Sequence, residues 1–549
     1  MLARASMLSY LLISSGVAMA SIAAVDWSST VRISATTTTC QVVTNPILDR
    51  TLVAPNGTTF TNPIHDRAWQ SLAALEADLV RFVPWFPYPE KSVAELVAPN
   101  VSTKTTSWNF DLVRPQLEDF MDATYAQNHT TVVNFATQPC WLFGDAENKT
   151  QACPFPANAD EVDFTYITGD RKNLLDPSAG DLADYYARLL AWLVHGRFED
   201  EYGVEHTGGP KYAKFDRAHG HVWELFNEGG TEHKYNPAYY IHDWDVVVNK
   251  MIAAVGGIEH APLFMGVAAQ YNTSYWWGPF LNASLHSAEY PAADYVSAHF
   301  YAQGDDTLKR TDPSTYGALF TSTKSGFLDK VEAYVALRNA SSMPHVKLDF
   351  NELGCIMPDD NNATYNITAD LPDLYWNAAA AQFAYVFAFT APLGVEVIGM
   401  SQLAGSPKIP EWGIPAPQFP SVTMLDWRTG LGTARYWVLK LLIEEFAPGD
   451  RIVPSEVTMT SSPSTSRAHG DIGVVAYAAV SGRDGGKRVL LVNTRFEAEI
   501  VELPGATSLR VVDASTVTRG SAHGIVDAKV AASTIHLAAF AVVVVHVEI

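Results

Sequence analysis

From about residue 60 to 445, short runs rich in β-branched and aromatic residues alternate with longer segments whose apolar residues recur at spacings of three and four. A continuous apolar run or a period of two indicates strand and a period near 3.6 indicates helix, so the tract predicts repeated βα units around a parallel sheet. Candidate strands cover 78–84, 130–136, 221–227, 262–267, 295–301, 345–351 and 395–402. An eighth is required ahead of the helical HDRAWQSLAALEA and is placed among residues 38–60. Helices are plain in LADYYARLLAWLVHG, YYIHDWDVVVNKMIAAV, FLDKVEAYVALRNA and NAAAAQFAYVFAFTA. The expected fold is an α/β (β/α)8 TIM barrel over residues 61–447.

Beyond residue 448 the texture changes to short strands, among them GVVAYAAV, RVLLVN, LRVVDA and FAVVVVHV, separated by Gly, Ser, Asp and Pro turns. With little helical period, residues 448–549 predict a C-terminal antiparallel β-sandwich. Residues 25–60, rich in Thr and Val, can add strands to it. The final HLAAFAVVVVHV has the apolar look of a tail anchor or lipid-anchor signal, but its valines and its charged end favour a buried closing strand.

The first residues combine Arg4, an apolar run broken by Ser14, Ser15 and Gly16, and small residues from Ala20 to Ala24. That pattern predicts a secretory signal over 1–24 and is too short for a stable membrane anchor. Nine Asn-X-Ser/Thr triplets, at Asn56, Asn100, Asn128, Asn148, Asn272, Asn282, Asn339, Asn362 and Asn366, agree with a secreted or endolysosomal glycoprotein. In such a compartment the close pair Cys140 and Cys153 is the expected disulfide, and a Cys40–Cys355 pairing is the remaining option. The formal net charge of -22 would repel nucleic acid and other polyanions, so a neutral or weakly charged partner fits better. Dinucleotide-binding, Walker, zinc-protease and serine-hydrolase motifs are absent, and neither cofactor nor metal is expected.

The strongest local signals are HVWELFNEGG and VKLDFNELG, in which candidate strands four and seven end in Asn227-Glu228 and Asn351-Glu352. The carboxy-terminal ends of barrel strands face the active site. One strand-end glutamate is usually a cap or a salt-bridge partner, but two on proposed strands of one barrel point to paired carboxylate chemistry.

With WELFNE and DFNELG the chain resembles glycoside hydrolase clan A, most closely family 39, which includes β-xylosidases and α-L-iduronidases. The resemblance runs in order through residues 60–445, and the two glutamates stand about 120 residues apart, as three intervening βα units require. One position departs: the proline that usually follows the strand-four glutamate is Gly229 here. The resemblance implies hydrolysis of an oligosaccharide or glycoconjugate with retention, Glu228 as acid/base and Glu352 as nucleophile. It also implies that Asn227 bonds a sugar 2-hydroxyl. By strand position, Tyr301 is placed to donate to Glu352, His299 to line the site and Arg81 to keep Glu352 ionised. Glu224, of the same strand parity as Glu228, is assigned to the barrel interior. Among Trp85, Trp141, Trp276, Trp277 and Trp412, Trp141 and Trp412 are the preferred platforms for sugar stacking, Trp141 because the expected disulfide would hold its loop. A carbohydrate-binding pseudoenzyme on the same barrel is the alternative.

Overall fold

The computed structural model describes residues 20–85, 88–144, 171–287, 293–358, 360, 371–414, 416–458 and 472–548. Eight parallel strands close into a barrel in the order Thr37–Val43, Val80–Val83, Thr131–Val133, Val222–Glu224, Leu263–Ala269, Tyr295–Ala302, Lys347–Cys355 and Val397–Met400, the last pairing back to the first. The first strand lies at the start of the tract expected for it. The barrel therefore begins at Thr37, inside the segment 25–60. The helices Gly180–His195, Pro237–Ala254, Asp329–Ala340 and Leu374–Thr390 each coincide with one of the segments read as helical, and Leu374–Thr390 is buried on nearly every side.

The second module has two sheets. One is four-stranded, with Ser21–Val25 between Ser455–Thr458 and Glu499–Glu502 and then Thr534–Leu537. The other is seven-stranded, running from Arg32–Ile33 through Arg451–Val453, Val474–Val480, Lys487–Asn493, Val542–Val547 and Ala506–Val512 to Val526–Lys529. Both therefore recruit strands from the amino-terminal segment. Pairing is antiparallel apart from Ser21–Val25 against Glu499–Glu502, which is parallel. Ser21 to Val25 pair within the sheet, so residues 21–24 of the segment 1–24 expected as a secretory signal form part of a strand of the folded module.

Strand periodicity explains how the modules join. In Val542–Val547 the side chains of Val543, Val545 and Val547 enter the core between the two sheets. Val542 and Val544 point the other way, into the barrel's own cluster with Phe387 and Phe446. A strand buried on both faces has no polar side to display, which is why its sequence looks like a membrane segment. No helix of the described residues is long and apolar enough to cross a membrane.

Cys40 and Cys355 are both buried and unbridged, on the first and seventh barrel strands, so the Cys40–Cys355 option is withdrawn. Cys140 is buried in the turn Cys140–Leu142, and Cys153 lies outside the described residues.

Candidate active site

At the carboxy-terminal mouth the fourth strand stops pairing after Glu224, and the chain turns through Phe226 (φ 62°) and Glu228 (φ 40°). Left-handed φ at bulky residues is disfavoured and clusters at functional sites. It lifts the Glu228 carboxyl out of the ladder and over the barrel. A helical turn follows, in which the amides of Thr231 and Glu232 donate to the Glu228 carbonyl at 2.8 and 2.9 Å. Side chains four apart on such a turn share one face, so Glu232 returns to the same cavity as Glu228. Gly230 has to lack a side chain, since a Cβ there would lie 2.6 Å from the Trp276 ring.

Glu352 comes from the opposite side, within the seventh strand, and its carboxylate oxygen, that of Glu228 and a ring nitrogen of His299 all lie within 4.8 Å of one another. Arg81, buried within the second strand, donates from Nη1 to Glu352 Oε1 at 2.5 Å and to Gln41 Oε1 at 2.7 Å. Its Nε reaches Glu224 Oε2 at 2.5 Å and its Nη2 reaches Asn227 Oδ1 at 2.7 Å. One guanidinium thus fixes the nucleophile candidate and the asparagine together. Tyr301 donates to Glu352 Oε2 at 2.8 Å, and His299 Nδ1 stands 2.8 Å from Glu228 Oε1 and 3.4 Å from Glu352 Oε2. Asn227 Nδ2 donates to Glu232 Oε1 at 2.7 Å, which uses one of its two amide hydrogens and leaves the other for a ligand. Glu224 is fully buried beneath, accepting from Arg81, Asn134, Ser297 and Asn351, as a structural member of the barrel interior.

These neighbours separate the two carboxyls electrostatically. Burial, assisted by the charge of Glu352, pushes Glu228 above the usual carboxylate range although His299 and Arg81 oppose it. Burial also presses Glu352 upward, but His299, Arg81 and Tyr301 outweigh it and hold Glu352 below that range. His299 is pushed down by burial and, more strongly, up by the two glutamates. One carboxyl pushed up beside one held down is the pattern expected of an acid and a nucleophile.

Two cavities meet at Glu228. The first, of about 200 Å³, holds Glu228, Glu232 and Glu352 against Trp85, Tyr301 and Phe419. The second, of about 310 Å³, is lined by Glu228 and not Glu352, with Tyr271, Tyr275 and Trp276 on its wall. Of the aromatic candidates, Trp85 therefore faces the catalytic cavity and Trp276 the neighbouring one. Trp277 is buried with its N–H on the Ser297 carbonyl. Trp141 and Trp412 line neither cavity: Trp141 donates to the Glu95 carbonyl at 2.9 Å, and Trp412 packs in a short turn against the core. Each is held away from the cavities by its own local contacts, so the preference for them is not met. Sequence reasoning missed Gln41, Glu232 and Ser401. Gln41 sits on the strand whose bounds were not resolved, whereas Glu232 lay in view four residues beyond Glu228.

Glu228, His299 and Glu352 are the only group of three among the described residues close enough to share a cation. Arg81, already 2.5 Å from Glu352, supplies the positive charge there and would oppose a metal ion.

Barrel and module together make a (β/α)8 barrel with an accessory antiparallel β-sandwich. Among solved structures the chain is similar to a glycoside hydrolase family 51 arabinofuranosidase from Xanthomonas axonopodis pv. citri, with 12% identity, 96% of this chain and 100% of that chain covered, and a TM-score of 0.59. It is also similar to AbfB, a family 51 α-L-arabinofuranosidase from Bifidobacterium longum, with 13% identity, coverage of 95% and 97%, and a TM-score of 0.54. A family 39 β-xylosidase from Caulobacter crescentus gives 14% identity, coverage of 96% and 100%, and a TM-score of 0.49. Residues 473–545 match the sequence family of the C-terminal immunoglobulin-like domain of D-apionate lactonase. No curated protein matches the chain. At these identities the likeness shows the fold.

Proposed function

We propose that the protein is a retaining glycoside hydrolase in which Glu228 is the acid/base and Glu352 the nucleophile. The observation that carries it is the pair of carboxyl oxygens within 4.8 Å across the barrel mouth. Retaining enzymes hold their carboxyl groups about 5–5.5 Å apart, whereas inverting ones need about 6.5–9.5 Å to admit a water. In the first step Glu352 attacks the anomeric carbon and Glu228 protonates the departing oxygen. In the second, Glu228 takes a proton from water, which displaces Glu352. The cavities support the same division of roles. The acid has to reach the oxygen between sugar and leaving group, and Glu228 borders both cavities, whereas Glu352 touches only the one that would hold the sugar.

We read the chain as a secreted glycoprotein as well. The sequon asparagines within the described residues, Asn56, Asn100, Asn128, Asn272, Asn282 and Asn339, are all exposed, as glycan attachment requires. The Cys140–Cys153 bridge belongs to the same proposal, and peptide mapping without reductant tests it.

Activity is tested with a panel of chromogenic glycosides, using Glu228→Gln and Glu352→Gln as controls. Turnover by the parent protein that both variants lose supports the proposal. A folded parent inert on every glycoside would favour the carbohydrate-binding pseudoenzyme.

A further inference from the structure

The cavity that holds the two catalytic candidates contains a third carboxyl, Glu232, which the mechanism above does not use. It is 4% exposed. Its Oε1 accepts from Trp85 Nε1 and from Asn227 Nδ2, both at 2.7 Å. A carboxyl oxygen has two acceptor sites, so these donors saturate Oε1. Oε2 has no hydrogen-bond partner among the described residues and opens on the cavity; the nearest cationic candidate, His233, is 3.9 Å away.

The rest of the lining is uncharged. Gln41, Gln270, Gln303, Gln402 and Gln418 present amides, and no Lys, Arg or His is among the described residues that line the cavity. Arg81 lies beneath the surface, 1% exposed, and is engaged by Glu224, Glu352, Gln41 and Asn227. A uronic acid bound here would bring a carboxylate beside Glu352 with no lining Lys, Arg or His to pair with it. At short range in a partly desolvated site such repulsion amounts to several kcal/mol. A neutral sugar offers hydroxyls that both donate and accept, which is what amides and a protonated carboxyl can pair with. At about 200 Å³ the cavity falls below the usual 300–1,000 Å³ of drug-sized pockets and suits one sugar ring.

We propose that this cavity takes a single uncharged sugar ring at the non-reducing end of the substrate and rejects a uronic acid, and that Glu232 Oε2 is the atom that donates to one of its hydroxyls. Burial and the nearby charge of Glu228 push the Glu232 carboxyl well above its ordinary value, in keeping with a donor. The proposal rests on the glycosidase function proposed above and narrows its substrate class.

The test uses the full chain and glycosides that share a 4-nitrophenyl leaving group: β-D-xyloside, β-D-glucoside and α-L-arabinofuranoside against β-D-glucuronide and α-L-iduronide. The best neutral glycoside should exceed the best uronide by about 100-fold in kcat/KM. Equal or better turnover of a uronide overturns the proposal and leaves the glycosidase function standing. If all five are inert, calorimetry with xylose, arabinose and glucose against glucuronate decides instead. Binding confined to neutral sugars supports the proposal, and binding of glucuronate, or of no sugar, overturns it. Glu232→Leu should raise KM for the neutral substrate about tenfold, and Glu232→Gln, whose amide can donate from the same place, should recover most of that loss. Equal KM in both variants and the parent would remove Glu232 from the proposal.

Discussion

Glu352 is held ionised by groups that can be removed one at a time, and this makes the pH profile informative. Activity requires Glu352 charged and Glu228 protonated, so kcat/KM should rise through the first group and fall through the second. With Glu352 held low and Glu228 held high, the acid limb should lie below the ordinary glutamate value of about 4.3 and the alkaline limb above it. Tyr301→Phe deletes a donor to the ionised form of Glu352, so it should move the acid limb to higher pH and leave the alkaline limb in place. Movement of the alkaline limb alone would contradict the assignment. Glu352→Ala should abolish turnover whatever the leaving group, because no glycosyl intermediate can form. Glu228→Ala should still release an activated phenolate and accumulate the intermediate, and added azide should restore its turnover to give a glycosyl azide of retained configuration. Azide acting on Glu352→Ala should give the inverted product, and the reverse pattern would exchange the two roles. The two Asn-Glu pairs could be read from sequence because each follows a recognisable apolar strand run. Gln41 and Glu232 could not, because their meaning comes from which atoms converge on them in three dimensions.

At the level of elements, the departure at Gly229 has a structural counterpart. A residue before proline is pushed towards extended backbone, whereas Glu228 here has φ 40°. Proline at position 229 would oppose the conformation that sets the Glu228 carboxyl over the cavity. Gly229→Pro should therefore lower kcat by about tenfold or more, as misplacement of a catalytic group does, with KM less affected. Steady-state kinetics check this, and unchanged kcat would show that the turn tolerates both conformations. The strands themselves were legible where an apolar run met turn residues, as at Tyr295–Ala302 and Leu263–Ala269. Thr37–Val43 was harder to bound because Thr38, Thr39 and Gln41 are polar yet buried, Gln41 serving Arg81 inside the barrel, so no clear alternation marks the strand. The fourth and eighth strands are shorter than their sequence patterns because ladder pairing gives way to the loops that carry the site.

Across the whole molecule, the barrel's last helix, Ala434–Glu445, is tied to the sandwich through one buried carboxylate. Glu445 accepts from Arg488 Nε at 2.8 Å and Arg510 Nη1 at 2.7 Å, with His546 Nε2 at 3.1 Å. Removing one partner of a buried ion pair typically costs about 3–5 kcal/mol, so Glu445→Ala should lower the melting temperature while KM stays unchanged. A calorimetric scan showing parental stability would mean that the Glu445 carboxylate is not needed to join the modules. The strands contributed by the amino-terminal segment have a further consequence, for assembly. Ile22 pairs with Thr458 and Ile33 with Arg451, contacts that span most of the polypeptide. Val542–Val547 lies between Lys487–Asn493 and Ala506–Val512, inside its sheet rather than at the rim. During synthesis the first strands made therefore wait, unpaired, until their partners from residue 451 onward have been made. Non-local closures of this kind are slow, and unpaired strand edges invite association with other chains. Neither module can be excised at the boundaries its sequence suggests: a fragment starting at residue 61 lacks the barrel strand Thr37–Val43, and one starting at residue 448 lacks two strands of the sandwich.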